Sequence, residues 1–171
     1  MIGLKRHTVM LVDHSPDWDT IAAESCQAVL KACAGLVADV QHVGSTAVPD
    51  LPAKPILDIV AGVLSLDSMP ELIRVLGDIG YTYRRDHGDA GGHLFVVDTS
   101  PGVRAIHLHL VEHSGIQWRN YIAFRDLLRH RPAIRNRYAE LKRELASLHA
   151  HDREAYAAGK TDFIRKTLER M

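Results

Sequence analysis

The chain has 171 residues, 46% hydrophobic and 25% charged, a composition that excludes a disordered or membrane-embedded class. No apolar run approaches the ~20 residues of a spanning helix. Lys+Arg balances Asp+Glu at 21 each, so there is no strong nucleic-acid signal. With no linker or composition break, the length predicts a single domain over residues 1–171, with a sheet-containing core to about 113 and a helical part from about 114.

The N-terminal stretch MIGLKRHTVMLVDHSPDW lacks a secretory pattern, which predicts a cytoplasmic protein with no membrane partner. Ser15 before Pro16 predicts an N-cap with proline in the first turn. Trp18, Ile21, Ala22, Val29, Leu30 and Cys33 then approximate a helical stripe. Cys26 and Cys33, the only cysteines, read as small packed hydrophobes. Leu36 to Val43 predicts a short strand, and the apolar run from Pro55 to Val63 a central one.

Ser68-Met-Pro-Glu71 has capping-box spacing, opening a helix with Leu72, Ile73, Val75, Leu76 and Ile79 that ends at Gly80. Tyr81–Arg85, His93–Asp98 and Val103–Glu112 predict three strands separated by HGDAGG and TSPG, most simply joined as antiparallel hairpins. From Ser114 the period becomes helical, with a second helix from Pro132 and a last one over Glu154–Leu168. The pattern predicts an α+β fold whose sheet is mixed or largely antiparallel, backed by helices, with an α-helical C-terminal third.

Period-two alternation puts Asp58 on a face with Val60 and Gly62, a carboxylate in an apolar strand that needs a cation, a basic partner or solvent. His107 and His109 share one face of the later strand, about 7 Å apart at the Cα level, close enough to hold one metal or one phosphate. Two separately hydrogen-bonded structural histidines are the competing reading. Gly44-Ser45 can bring backbone N–H groups and a hydroxyl to a phosphate, although the spacing is not that of a P-loop. Lys54 stands where it can neutralise an anion, or as a solvated strand end. The basic residues between Arg119 and Arg143 read as a salt-bridged helix surface, against a phosphate patch.

Together, His42-Val-Gly-Ser-Thr-Ala-Val-Pro, Lys54-Pro-Ile-Leu-Asp58-Ile and His107-Leu-His109-Leu-Val-Glu112 closely resemble the GrpB family, as does the pattern from Trp118-Arg119 through Leu145. GrpB proteins look like nucleotidyltransferase-superfamily members, also found fused behind dephospho-coenzyme A kinase. The resemblance implies a nucleotidyltransferase-like sheet with Gly44 and Ser45 at nucleotide phosphates, to which the leading reading adds Thr46 and has Lys54 and Arg125 offset charge. Asp58 matches the first metal-binding carboxylate, and His107 and His109 are candidate substitutes for a missing one. All three are then catalytic and metal-ligand candidates.

The implied cofactor is a divalent cation, magnesium or manganese, or zinc if the histidines ligate. Val60 stands where active superfamily members carry a second carboxylate, and Pro49-Asp50 where the family shows Pro-Gly. The implied partner is a nucleotide or phosphorylated small molecule. The leading reading is transfer of a nucleoside monophosphate to a small acceptor. A non-catalytic binding or accessory module is the alternative, and a histidine-dependent phosphohydrolase ranks third because Val111 replaces the next histidine.

Overall fold

The computed structural model describes residues 2–86 and 91–170. Its elements are β1 (Leu4–Lys5), α1 (Asp17–Ala32), β2 (Val37–Val43), β3 (Leu57–Val63), α2 (Met69–Asp78), β4 (Thr82–Asp86), β5 (His93–Ser100), β6 (Val103–Glu112), α3 (Ile116–His130), α4 (Pro132–Leu148) and α5 (Arg153–Leu168). Short 3-10 turns cover Ser45–Ala47 and Leu66–Ser68. The strands run β2-β3-β6-β5-β4, with β1 added beside β6. Only β3 and β6 are parallel among the described pairs, so the sheet is mixed and largely antiparallel. Among the described residues no helix is long and apolar enough to cross a membrane.

Alternation divides the sheet into two faces. Leu57, Ile59, Phe95, Leu108 and Leu110 pack against Trp18, Ala22 and Val29 of α1 and Leu72 and Leu76 of α2. Burial of each such large side chain contributes about 1.5–3 kcal/mol. On the other face Val43, Val60 and Val111 pack beneath Trp118, Tyr121 and Ile122 of α3. A further cluster joins Val48 and Leu51, after the 3-10 turn, to Leu128, Tyr138 and Ala139. Cys33 is buried and both thiols are free, as their apolar setting predicts.

Several local expectations change. Asp17 starts α1 and no side chain caps it, so Ser15 contributes its carbonyl to Trp18 N–H instead of its hydroxyl. Ser68 likewise makes no cap bond, because the preceding 3-10 turn is closed by Ser65, whose hydroxyl accepts from Asp67 N–H. Leu30, Ile73 and Ile79 lie at the margins of their apolar stripes and are exposed. Gly80 takes the left-handed conformation that terminates α2, with φ +91°. Most of the predicted HGDAGG turn lies outside the described residues.

Candidate functional site

The parallel pairing of β3 with β6 sets Asp58 opposite His107 and Val60 opposite His109. Paired residues share a face, so the carboxylate and both imidazoles meet. Asp58 Oδ1 lies 3.2 Å from His107 Nδ1 and 3.9 Å from His109 Nε2. One potential ligand atom from each residue falls within 4.8 Å of the others. This donor set fits a divalent cation, and its two nitrogens suit zinc, manganese or iron better than magnesium.

The electrostatics favour the protonation state that cation binding needs. Burial alone would raise the Asp58 carboxyl, but the hydrogen bond with His107 and the nearby His109 imidazole outweigh it and hold the group well below the usual carboxylate range. Burial lowers the His107 imidazole, against the opposing pull of Asp58. An ionised carboxylate therefore stands beside a neutral imidazole. His109 Nδ1 is buried without a hydrogen-bond partner, so no neighbouring acceptor fixes its tautomer.

Gly44 holds the β2 end against this cluster, with φ +70° and ψ −168°. A Cβ at this position would sit 2.6 Å from Asp58 Oδ2, so both backbone conformation and space require glycine. Ser45 follows, and Gly44, Ser45, Asp58 and His109 form one side of a cleft of about 370 Å³. Tyr121 of α3, Tyr138 of α4 and Lys160 of α5 supply the facing wall.

Behind that wall is a group of lysines. Lys160 Nζ and Lys54 Nζ lie 4.6 and 5.0 Å from the centroid of the same Tyr156 ring. Lys142 Nζ lies 5.1 Å from the Tyr138 centroid and donates to Pro52 O. Burial lowers all three ammoniums, and repulsion from Lys160 adds to the lowering of Lys54 to about 8. Among the described residues, Asp58 is the carboxylate whose field opposes this lowering in each case. An anion in the cleft would offset that excess positive charge.

Three of the expected phosphate contacts, Thr46, Arg125 and Lys54, do not line the cleft. Thr46 is buried, and its Oγ1 is 2.9 Å from His42 Nε2, because the 3-10 turn directs it into the protein. Arg125 is also buried, bonding Gln41 Oε1, His42 O and Asp126 Oδ1. It fastens α3 to β2 instead of facing the cleft. Asp50 adds no pocket carboxylate either: it occupies a left-handed position, φ +62°, points to solvent and lies 3.7 Å from Arg135. Lys54 does not line the cleft either, and interacts electrostatically with Lys160 and Asp58, which do.

Lys160 and the two tyrosines escaped the sequence reading. Gly159 carried a signal: mid-helix glycine costs about 1 kcal/mol relative to alanine, so it often marks close packing. A Cβ there would meet Leu145 Cδ2 at 2.4 Å, and its absence lets α5 close on α4, next to the residue that reaches the cleft.

The mixed, largely antiparallel sheet backed by helices is a nucleotidyltransferase-like α+β fold. The structure of Cid1 in complex with its short product ApU shares this fold at TM-score 0.52 and 12% identity, over 79% of this chain and 42% of that one. Residues 8–170 match the GrpB protein family, and the chain belongs to it.

The crystal structure of conserved protein GrpB from Enterococcus faecalis superposes at TM-score 0.83 with 31% identity, covering 94% of this chain and 96% of that one. Glutamate-rich protein GrpB of Alkalihalophilus pseudofirmus is 31% identical over the full length of both chains. A dephospho-CoA kinase of Mycobacterium bovis is 29% identical over 81% of this chain but only 40% of its own length.

Proposed function

We propose that this protein binds a divalent cation at Asp58, His107 and His109 and the phosphates of a nucleotide or similar phosphorylated small molecule along Gly44, Ser45 and Lys160. The observation that carries this reading is the convergence of the carboxylate and two imidazoles within 4.8 Å beside a cleft whose far wall holds Lys160. The cation would neutralise phosphate charge. The chain's own groups orient the ligand through the Gly-Ser backbone and hydroxyl, and Lys160 opposes its negative charge.

The finer reading is transfer of a nucleoside monophosphate: an acceptor hydroxyl attacks the α-phosphorus, pyrophosphate leaves, and the hydroxyl proton passes to water. A screen of nucleoside triphosphates against small hydroxylated acceptors tests it. Acceptor-dependent pyrophosphate release that disappears in Asp58→Ala is the expected result, and no release with nucleotide and cation both bound would contradict transfer.

Val60 favours a second reading, a binding module without catalysis. It occupies the position of the second superfamily carboxylate and is fully buried with Val43 and Val111. An apolar side chain there cannot ligate a cation. Nucleotide binding without turnover is the outcome that supports this reading. The phosphohydrolase reading gains nothing from His113, whose ring packs 4.9 Å from that of Trp118, apart from the Asp58 cluster.

A further inference from the structure

Past its charged groups the cleft changes character. Lys160, Ile164 and Leu168 line it from α5 at successive i, i+4 positions, so Leu168 stands about 12 Å along the helix axis from the lysine. Gln117, Asn120, Tyr121 and Phe124 line it from α3 at i, i+3, i+4 and i+7, one face of that helix. Asp58, His109 and Lys160 are thus continued along α5 by an apolar stretch, and Phe124 adds a third apolar side chain to the same cleft.

One polar side chain on the α3 face is left without a partner. The Tyr121 hydroxyl donates to Gly91 O at 3.3 Å, and Gln117 has an interaction of its own. Asn120 is half-buried, and among the described residues its amide makes no hydrogen bond. That amide offers two donors and an acceptor side by side. A ligand that covered it without pairing would strip its hydration for nothing in return, so a well-fitting ligand presents a matching donor and acceptor.

This combination discriminates among phosphorylated molecules. Inorganic polyphosphate is charged throughout and gains nothing from Phe124, Ile164 and Leu168. A sugar phosphate would press hydroxyls against the same side chains, where each loses water without a replacement. A nucleobase has two apolar faces and an edge on which a donor and an acceptor stand next to each other, and an asparagine amide pairs with such an edge through two bonds. Apolar walls with few, placed polar groups are also the usual composition of a small-ligand site.

We propose that the molecule carrying the phosphates is a nucleotide whose base lies against Phe124, Ile164 and Leu168, and that Asn120 is the residue that reads the edge of that base. The inference rests on the phosphate site proposed above and adds to it the group the phosphates carry. Asn120 is a specificity residue in this account and takes no part in the reaction.

The test is calorimetric titration of inorganic triphosphate and of the four common ribonucleoside triphosphates, each with saturating manganese. At least one nucleotide should bind the wild type about tenfold or more tighter than inorganic triphosphate. Asn120→Ala should remove most of that margin and leave the affinity for inorganic triphosphate unchanged. Asn120→Asp, whose carboxylate only accepts, should change which nucleotide binds best. Ile164→Ala should narrow the margin as well, should Asn120→Ala misfold. Inorganic triphosphate binding as tightly as every nucleotide, or a margin intact in Asn120→Ala, would overturn this inference and leave the phosphate site standing. An equal loss for all four nucleotides in Asn120→Ala would overturn it too, because the amide would then contact the ribose. Binding of neither inorganic triphosphate nor any nucleotide would remove the phosphate site and this inference together.

Discussion

Gly44 and Asp58 are in contact across the β2–β3 edge so closely that position 44 has no room for a methyl group: its Cβ would lie 2.6 Å from Asp58 Oδ2. Gly44→Ala also forces a side chain into φ +70°. The two effects together should destabilise the protein by about 1–3 kcal/mol. Thermal unfolding measures that loss, and a Tm within about 1 °C of the parent would contradict the packing.

Arg125 holds α3 to β2 through Gln41 Oε1 and His42 O. Charge-assisted bonds of this kind contribute about 1.5–3 kcal/mol each. Arg125→Met, which retains much of the apolar stem, should therefore lower stability by about 2–4 kcal/mol while leaving the affinity of the folded protein for a nucleotide nearly unchanged. A selective loss of nucleotide affinity at constant Tm would restore Arg125 to the ligand site.

Lys160 and Lys54 repel each other beside Tyr156. In Lys160→Ala the Lys54 ammonium should titrate above its present value of about 8, moving toward 10.5. NMR of the lysine side chain reads this shift directly. The same variant should weaken cation-assisted nucleotide binding about tenfold, equivalent to about 1.4 kcal/mol. An unmoved Lys54 titration would show that the two charges are not coupled.

His42 supplies an acid sensitivity. Burial lowers its imidazole from 6.5 to about 4, against the upward pull of Asp19 and Asp58. Between those values the unfolded chain binds the proton more readily than the folded one, so stability falls as pH drops through this window. Denaturant unfolding should show a shallower decline from pH 6.5 to 4 in His42→Gln than in the parent. Parallel profiles would contradict a buried neutral His42.

The period-two pattern made β6 legible to its ends, Val103 and Glu112, and put His107 and His109 on the face that Asp58 also occupies. Alternation needs no knowledge of neighbouring elements, and this part of the site follows from it. The basic helices were harder. Arg125, Arg129 and Lys142 reach carbonyls of His42, Ala47 and Pro52. Their acceptors, at the end of β2, in the 3-10 turn and in the loop before β3, lie more than 80 residues earlier, with no periodic signal that joins them to the helices. Lys160 was hidden for a related reason: its place at the cleft depends on how closely α5 approaches α4, a distance set by Gly159 and Leu145 together.

Calorimetric titration of zinc or manganese into metal-free wild-type protein and Asp58→Ala tests the central claim most directly. One equivalent should bind to the wild type, with affinity at least about a hundredfold weaker in Asp58→Ala, because the cation loses the carboxylate that lies between the two imidazoles. Equal affinity in the two proteins, or no stoichiometric binding to either, would contradict a cation site at Asp58, His107 and His109.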